Sequence, residues 1–128
     1  MKPVFPIKIT SLNNTSVNLD AVFDTGSFYT IIRADKLPAD TMVIRYDKTF
    51  RTAQKGGTLA IVGQTILNIA IEDRMINDRV LVSSELGSDM LIGAQTMQSW
   101  DISIMNNDGK TTIHVAHDMR DPEITEVV

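Results

Sequence analysis

The chain has 128 residues and a mass of 14.2 kDa, room for one domain-sized core and not for two. Hydrophobic residues make up 43% and charged residues 22%, the balance of an ordinary folded chain, which excludes global disorder. Cysteine is absent, so disulfide scaffolds, thiolate metal sites and thiol nucleophiles are ruled out, and a net charge of −4 argues against binding nucleic acid by phosphate neutralisation.

The opening segment, MKPVFPIKIT, lacks the long apolar stretch of a secretory signal, and no apolar run approaches the ~20 residues needed to cross a bilayer. A cytoplasmic protein without membrane contact is the expectation. Residues 4–10 mix β-branched and apolar residues with a period of two, and Pro6 suits an edge strand. Leu12-Asn13-Asn14-Thr15 is a turn. Residues 16–23 alternate, with Val17, Leu19, Ala21 and Phe23 on one face, and predict a strand paired with the first. Asp24-Thr25-Gly26-Ser27 interrupts it, and Phe28, Tyr29, Ile31 and Ile32 predict another short strand. Residues 34–41, with Lys36-Leu37-Pro38, form a connection.

Two β-like runs, 43–54 and 58–71, flank Lys55-Gly56-Gly57, where glycine can take a positive φ at a hairpin tip. Residues 79–83 predict a short strand, and 84–88 a turn. Met90-Leu91-Ile92 is a short buried run ending at Gly93, and 94–99 suits a short helix before Trp100. Residues 102–104 and 111–115 flank Asn106-Asn107-Asp108-Gly109, a strong hairpin signal. From Asp118 to residue 128 the chain is polar and reads as a flexible tail beyond a single domain spanning 1–117. The pattern is all-β with one or two short helices.

The segment that carries chemistry is Ala21-Val22-Phe23-Asp24-Thr25-Gly26-Ser27. A carboxylate directly after a hydrophobic strand is held at the end of a rigid element and partly desolvated, which favours a perturbed pKa. Gly26 lets the backbone turn beside it, and Thr25 and Ser27 supply hydroxyls that can reach it. Asp-Thr-Gly alone is also a serviceable turn sequence. Its context is more specific. The order of strand, Asp-Thr-Gly-Ser, glycine-tipped hairpin, then Leu91-Ile92-Gly93 before a short helix resembles the retropepsin-like aspartic proteases, single-lobe relatives of pepsin and of the retroviral proteases. The resemblance covers roughly residues 4–104.

That resemblance implies a closed, mostly antiparallel β-barrel. It implies that Asp24 is the catalytic aspartate, with Thr25 and Gly26 shaping its loop. It implies a substrate-covering flap whose tip falls at Lys55, Gly56, Gly57 and Thr58. Leu91, Ile92 and Gly93 match the apolar segment that packs behind the active-site loop and lines the cleft. One departure stands out. Many family members carry an acid two residues after the catalytic glycine and an arginine directly after the second glycine, a pair that braces the retroviral dimer. Here Phe28 and Ala94 occupy those places. Losing both together is gentler than stranding one charge. Residues 101–115 read as an extra hairpin and a candidate for a different dimer interface.

Peptide hydrolysis by carboxylates needs a base for water and an acid for the leaving group, and two carboxylates sharing one proton supply both. The sequence holds one Asp-Thr-Gly, and Asp20, Asp35, Asp40 and Asp89 lack the Thr-Gly that follows it. A working enzyme of this kind is therefore a symmetric homodimer. A hydroxyl on Ser27 donating to the carboxylate would lower its pKa and favour an acidic to mildly acidic optimum.

The remaining candidates are bland. His114 and His117, an odd spacing apart in a strand, fall on opposite faces and do not chelate, with Asp118 and Asp121 nearby as solvated polar residues. Asn107-Asp108-Gly109-Lys110-Thr111 echoes a phosphate loop but lacks its earlier glycine, since residue 104 is Ile, so it reads as a turn. Arg45, Lys48, Arg51 and Lys55 read as a solvated strand edge. The seven methionines read as core fillers, and Trp100 as a core or interface anchor. The expectation is an aspartic endopeptidase acting as a homodimer on extended peptides, with no cofactor. The alternative is a catalytically weak peptide-binding or dimerisation module on the same fold.

Overall fold

The computed structural model describes residues 2–52 and 56–116. Lys55, His117 and the whole polar tail lie outside them. The strands are β1 (Val4–Thr10), β2 (Ser16–Phe23), β3 (Ile31–Arg33), β4 (Ile44–Arg51), β5 (Thr58–Ile71), β6 (Arg74–Ser83), β7 (Met90–Ile92), β8 (Ile102–Asn107) and β9 (Lys110–Val115). One 3-10 turn covers Ala34–Lys36, and one α-helix, α1, covers Ala94–Ser99. Six strands close into a barrel in the order β1-β2-β7-β3-β6-β5, and a β1–β5 pairing shuts the ring. β4 extends from β5 as an outer strand, and β8–β9 form a separate two-stranded sheet. The barrel is mostly antiparallel; β2–β7 and β3–β6 are its parallel pairs.

Alternation builds this wall. Leu19, Ala21 and Phe23 of β2 point inward, as do Leu67, Ile69 and Ile71 of β5, and all are buried. They meet Ile76, Val80, Met90 and Ile92 in one core. β5 is the longest strand, because it has two partners in succession: β4 along Thr58–Gln64 and β1 along Asn68–Ala70. Pro6 lies where β1 has β2 on one side and has not yet reached β5, so its missing N–H interrupts no ladder.

The turns follow local chemistry. Asn14 takes φ 75° in the β1–β2 turn, and Asp108 and Gly109 take φ 52° and 77° in the β8–β9 turn. Glu72, at φ 55°, makes the β5–β6 turn. That turn lacks a glycine, which is why the sequence suggests a strand only from residue 79; pairing with β5 carries β6 back to Arg74. Methionines divide as well: Met90 and Met97 are core, whereas Met42, Met75 and Met105 are exposed, contrary to the expectation that they fill the interior.

β3 is shorter at its start than the apolar run suggests. Phe28 and Tyr29 belong to a loop, because β7 lies between β2 and β3 and the chain must pass over its end. Gly93 sits under that crossing. A Cβ there would stand 2.3 Å from the Tyr29 carbonyl oxygen and 2.8 Å from that of Phe28, so no side chain fits. Gly93→Ala should therefore destabilise the fold by about 1–3 kcal/mol or more in urea denaturation. Gly87→Ala, with nothing within 4 Å of the added carbon, should be close to neutral. Truncating the fully buried Ile69 to Ala should cost about 2–5 kcal/mol, against less than about 0.5 kcal/mol for the half-exposed Ile66 on the same strand.

Candidate active site

β2 ends at Phe23, and the next residue places a carboxylate at the barrel's end. The Asp24 N–H donates to the Ile92 carbonyl at 3.0 Å, which extends the β2–β7 pairing by one rung and fixes the Asp24 backbone. Its side chain is 13% exposed. Oδ1 accepts the Gly26 N–H at 2.9 Å, and Oδ2 accepts the Lys2 ammonium at 2.8 Å. The Lys2 contact holds the Asp24 carboxyl below its ordinary range; partial burial opposes this, and the Gly26 N–H adds to it.

Gly26 is needed for space rather than for an unusual backbone angle: a Cβ would crowd Asp24 Oδ1 at 3.2 Å. Thr25 is exposed on the crest of the loop. Ser27 does not do what its position suggests. Its hydroxyl donates to the Tyr29 carbonyl at 3.1 Å and leaves the carboxylate to Lys2 and Gly26. A hydroxyl that can close a short local turn competes well against one that must reach back to its neighbour.

The loop is braced by main chain. The Ala94 and Gln95 N–H groups, at the start of α1, donate to the Ser27 and Phe28 carbonyls at 2.6 and 2.9 Å. These bonds join the two segments where the acid–arginine pair of many relatives would stand. Beneath them the Gly93 N–H donates to Thr30 Oγ1 at 3.0 Å, Thr30 and Thr96 share a hydroxyl contact at 2.5 Å, and Thr96 Oγ1 donates to Asp78 Oδ2 at 2.7 Å. Both threonines are buried.

The β4–β5 hairpin stands over the same loop. Its Phe50 and Leu59 pack with Tyr29 and Leu91 around buried Ile31, Ile61, Leu81 and Leu86. The Tyr29 and Phe50 rings are 5.1 Å apart. The β5 arm of the hairpin is pinned: Ala60 N–H donates to Glu85 at 2.7 Å, and Ser83 Oγ donates to the Ala60 carbonyl at 2.8 Å. Near the tip, the Thr52 N–H donates to the Gly57 carbonyl at 3.0 Å, Gly56 takes φ 74°, and Thr58 begins β5. Leu91 faces this hairpin cluster, whereas Ile92 is wholly buried in the barrel core. Arg45, Lys48 and Arg51 are exposed along β4, the outer strand, with Lys48 over the Phe50 ring.

On the other side of Asp24, an open cleft of about 650 Å³ lies between the loop and β8–β9. Lys2, Asp24 and Thr25 face Ile104, Asn106 and Thr111 across it. Lys2, Thr30, Thr96 and Asp78 are the site residues that the sequence does not announce. Lys2 had a signal: the antiparallel register that sets Val4 opposite Val22, continued by two residues, brings Lys2 level with Asp24. The threonine relay had none, since its members lie far apart in the chain.

The comparisons agree with this geometry. The family model for retroviral aspartyl protease matches residues 1–105. A search of the curated proteins found no match. Among solved structures, the chain is similar in fold to EIAV protease complexed with the inhibitor HBY-793, at 19% identity and a TM-score of 0.57, over 77% of this chain and 88% of that one. With its family model covering most of its length, and Asp24-Thr25-Gly26 on the loop that goes on to cross Gly93, the chain belongs to the retroviral aspartyl protease family.

Proposed function

We propose that the protein is an aspartic endopeptidase that works as a symmetric homodimer, with Asp24 of each copy meeting at the two-fold axis. What supports this reading above all is the setting of Asp24: a largely buried carboxylate, one oxygen fixed by the Gly26 N–H, on a loop clamped to β7 and α1 by main-chain bonds. One carboxylate of the pair takes a proton from water, and the water oxygen attacks the scissile carbonyl. The other, protonated, supplies the proton that the leaving amine needs. Thr25, exposed on the crest, is the residue that would brace loop against loop, and Gly26 leaves room for the approach. No metal or cofactor is required by this chemistry.

The substrate in this reading is an extended peptide lying between the Asp24 loop and the β4–β5 hairpin, with Gly56, Gly57 and Thr58 near its tip. Ser27 contributes by bonding within the loop, and Leu91 and Gly93 by lining and spacing the cleft; Ile92 acts through its carbonyl on Asp24. Phe28 and Tyr29 give the loop an aromatic edge, their rings 5.0 Å apart.

Incubation with an unstructured protein across about pH 3–7 tests the reading. Cleavage should peak below neutrality, fall by about 10²–10⁴-fold or more in Asp24→Asn, and be blocked by a transition-state-mimicking aspartic protease inhibitor. Equal behaviour of wild type and variant would favour the peptide-binding module instead. Specific activity should also fall steeply on dilution below the dimer dissociation constant. A pH-dependent stability difference follows from the carboxylate itself. In the separate subunit, because its folded pKa is lowered by Lys2, Asp24 contributes stability that is present above about pH 4 and lost as pH falls through the folded value. Urea midpoints of wild type and Asp24→Asn should accordingly converge on acidification.

A further inference from the structure

We propose that Lys2 is a further functional residue of this site: in the separate subunit its ammonium occupies the Asp24 oxygen that a second carboxylate needs, and it gives that oxygen up when two copies assemble. The proposal deepens the dyad reading above and rests on it.

The geometry carries it. Asp24 has both oxygens engaged within its own chain, and the two partners differ in kind. Oδ1 is bound by the Gly26 N–H, a backbone donor two residues away on a braced loop, which cannot withdraw without remaking the loop. Oδ2 is bound by Lys2, whose side chain is 64% exposed and has four rotatable carbons to swing through. Oδ2 is therefore the oxygen that can be released. Lys2 is not there by accident of a long side chain: the Phe23 N–H donates to the Pro3 carbonyl at 2.9 Å, so the β1–β2 ladder runs on past Val4 and delivers Lys2 beside Asp24. Among the described residues lining the cleft, Lys2 and Asp24 are the only charged ones; the hairpin opposite offers Asn106 and Thr111.

The proton count gives the consequence. Two separate subunits near neutral pH hold two carboxylates, each paired with an ammonium and neither protonated. The assembled dyad holds one proton between two carboxylates. Assembly thus takes up one proton from solvent and releases two ammonium groups to water. Lys2 opposes premature proton capture by Asp24 and resists assembly, and acidification favours assembly.

The test uses the full chain with Lys2→Gln, which removes the charge at an exposed position, and Lys2→Arg, which keeps it. In dilute protein, the Asp24 carboxyl carbon followed by NMR should titrate at higher pH in Lys2→Gln than in wild type or Lys2→Arg. By sedimentation, the dimer dissociation constant of Lys2→Gln should be about two- to tenfold lower than that of wild type near neutral pH, as expected for two ion pairs, each with an exposed lysine, that no longer need breaking. An unchanged Asp24 titration overturns the proposal and leaves the dyad reading standing. A weaker or unchanged Lys2→Gln dimer also overturns it, because it means that Lys2 stays in place and neutralises the paired acids. A chain that stays monomeric at every concentration, yet shows the Lys2-dependent titration, overturns the dyad reading and with it the role of Lys2 in assembly.

Discussion

The Asp24 loop must pass over the end of a strand that lies between the two strands it connects. Main chain meets main chain at that crossing, and Gly93 is the residue beneath it. Most features of the site follow from this close approach. With no side chain in the way, the Ser27 and Phe28 carbonyls reach the first N–H groups of α1, and Asp24 finds the Ile92 carbonyl. The carboxylate then has a fixed backbone and a fixed donor on one oxygen. Phe28 and Ala94 are tolerable for the same reason. A clamp made of peptide groups does not depend on keeping two opposite charges paired in a partly dry place, where loss of either would be costly.

The rest of the fold separates stiffness from coverage. β5 belongs to both: its second half is barrel wall, gripped by β1 and β6, and its first half is one arm of the hairpin over the loop. The two apolar clusters divide along that line. The larger fills the barrel, and the smaller joins Phe50 and Leu59 of the hairpin to Tyr29 and Leu91 beside the loop. The Ser83 and Glu85 bonds to Ala60 tie the hairpin arm, within the smaller cluster, to the end of β6 and the turn after it.

Features set by a few adjacent residues were legible in the sequence. The Asn13-Asn14 and Asp108-Gly109 turns, the alternation of β2, the Asp-Thr-Gly-Ser loop and the Leu-Ile-Gly run all carry their reasons locally. The Glu72 turn did not, because the pull of β5 on β6 forces an ordinary residue into a conformation that glycine would have advertised. Ser27 misled for a related reason: nearness in sequence to the carboxylate says nothing about which acceptor its hydroxyl meets first, and Tyr29 wins. Lys2 was within reach of a register argument, since the β1–β2 turn fixes which residue faces Asp24. The Thr30–Thr96–Asp78 relay was not, because two hydroxyls so distant in the chain meet only through the topology.

That relay has a bearing on the order of events as the chain acquires its shape. β2 and β3 are complete early, yet the lane between them stays open until β7, some 60 residues further on, slides in. Thr30 waits as long for Thr96. Such distant closures carry a large entropic toll before any contact rewards them, so they come late and slowly. The acid at position 24 is thus synthesised well before β7 and is among the last residues to be oriented. A half-made molecule carries the reactive group without the architecture that would arm it.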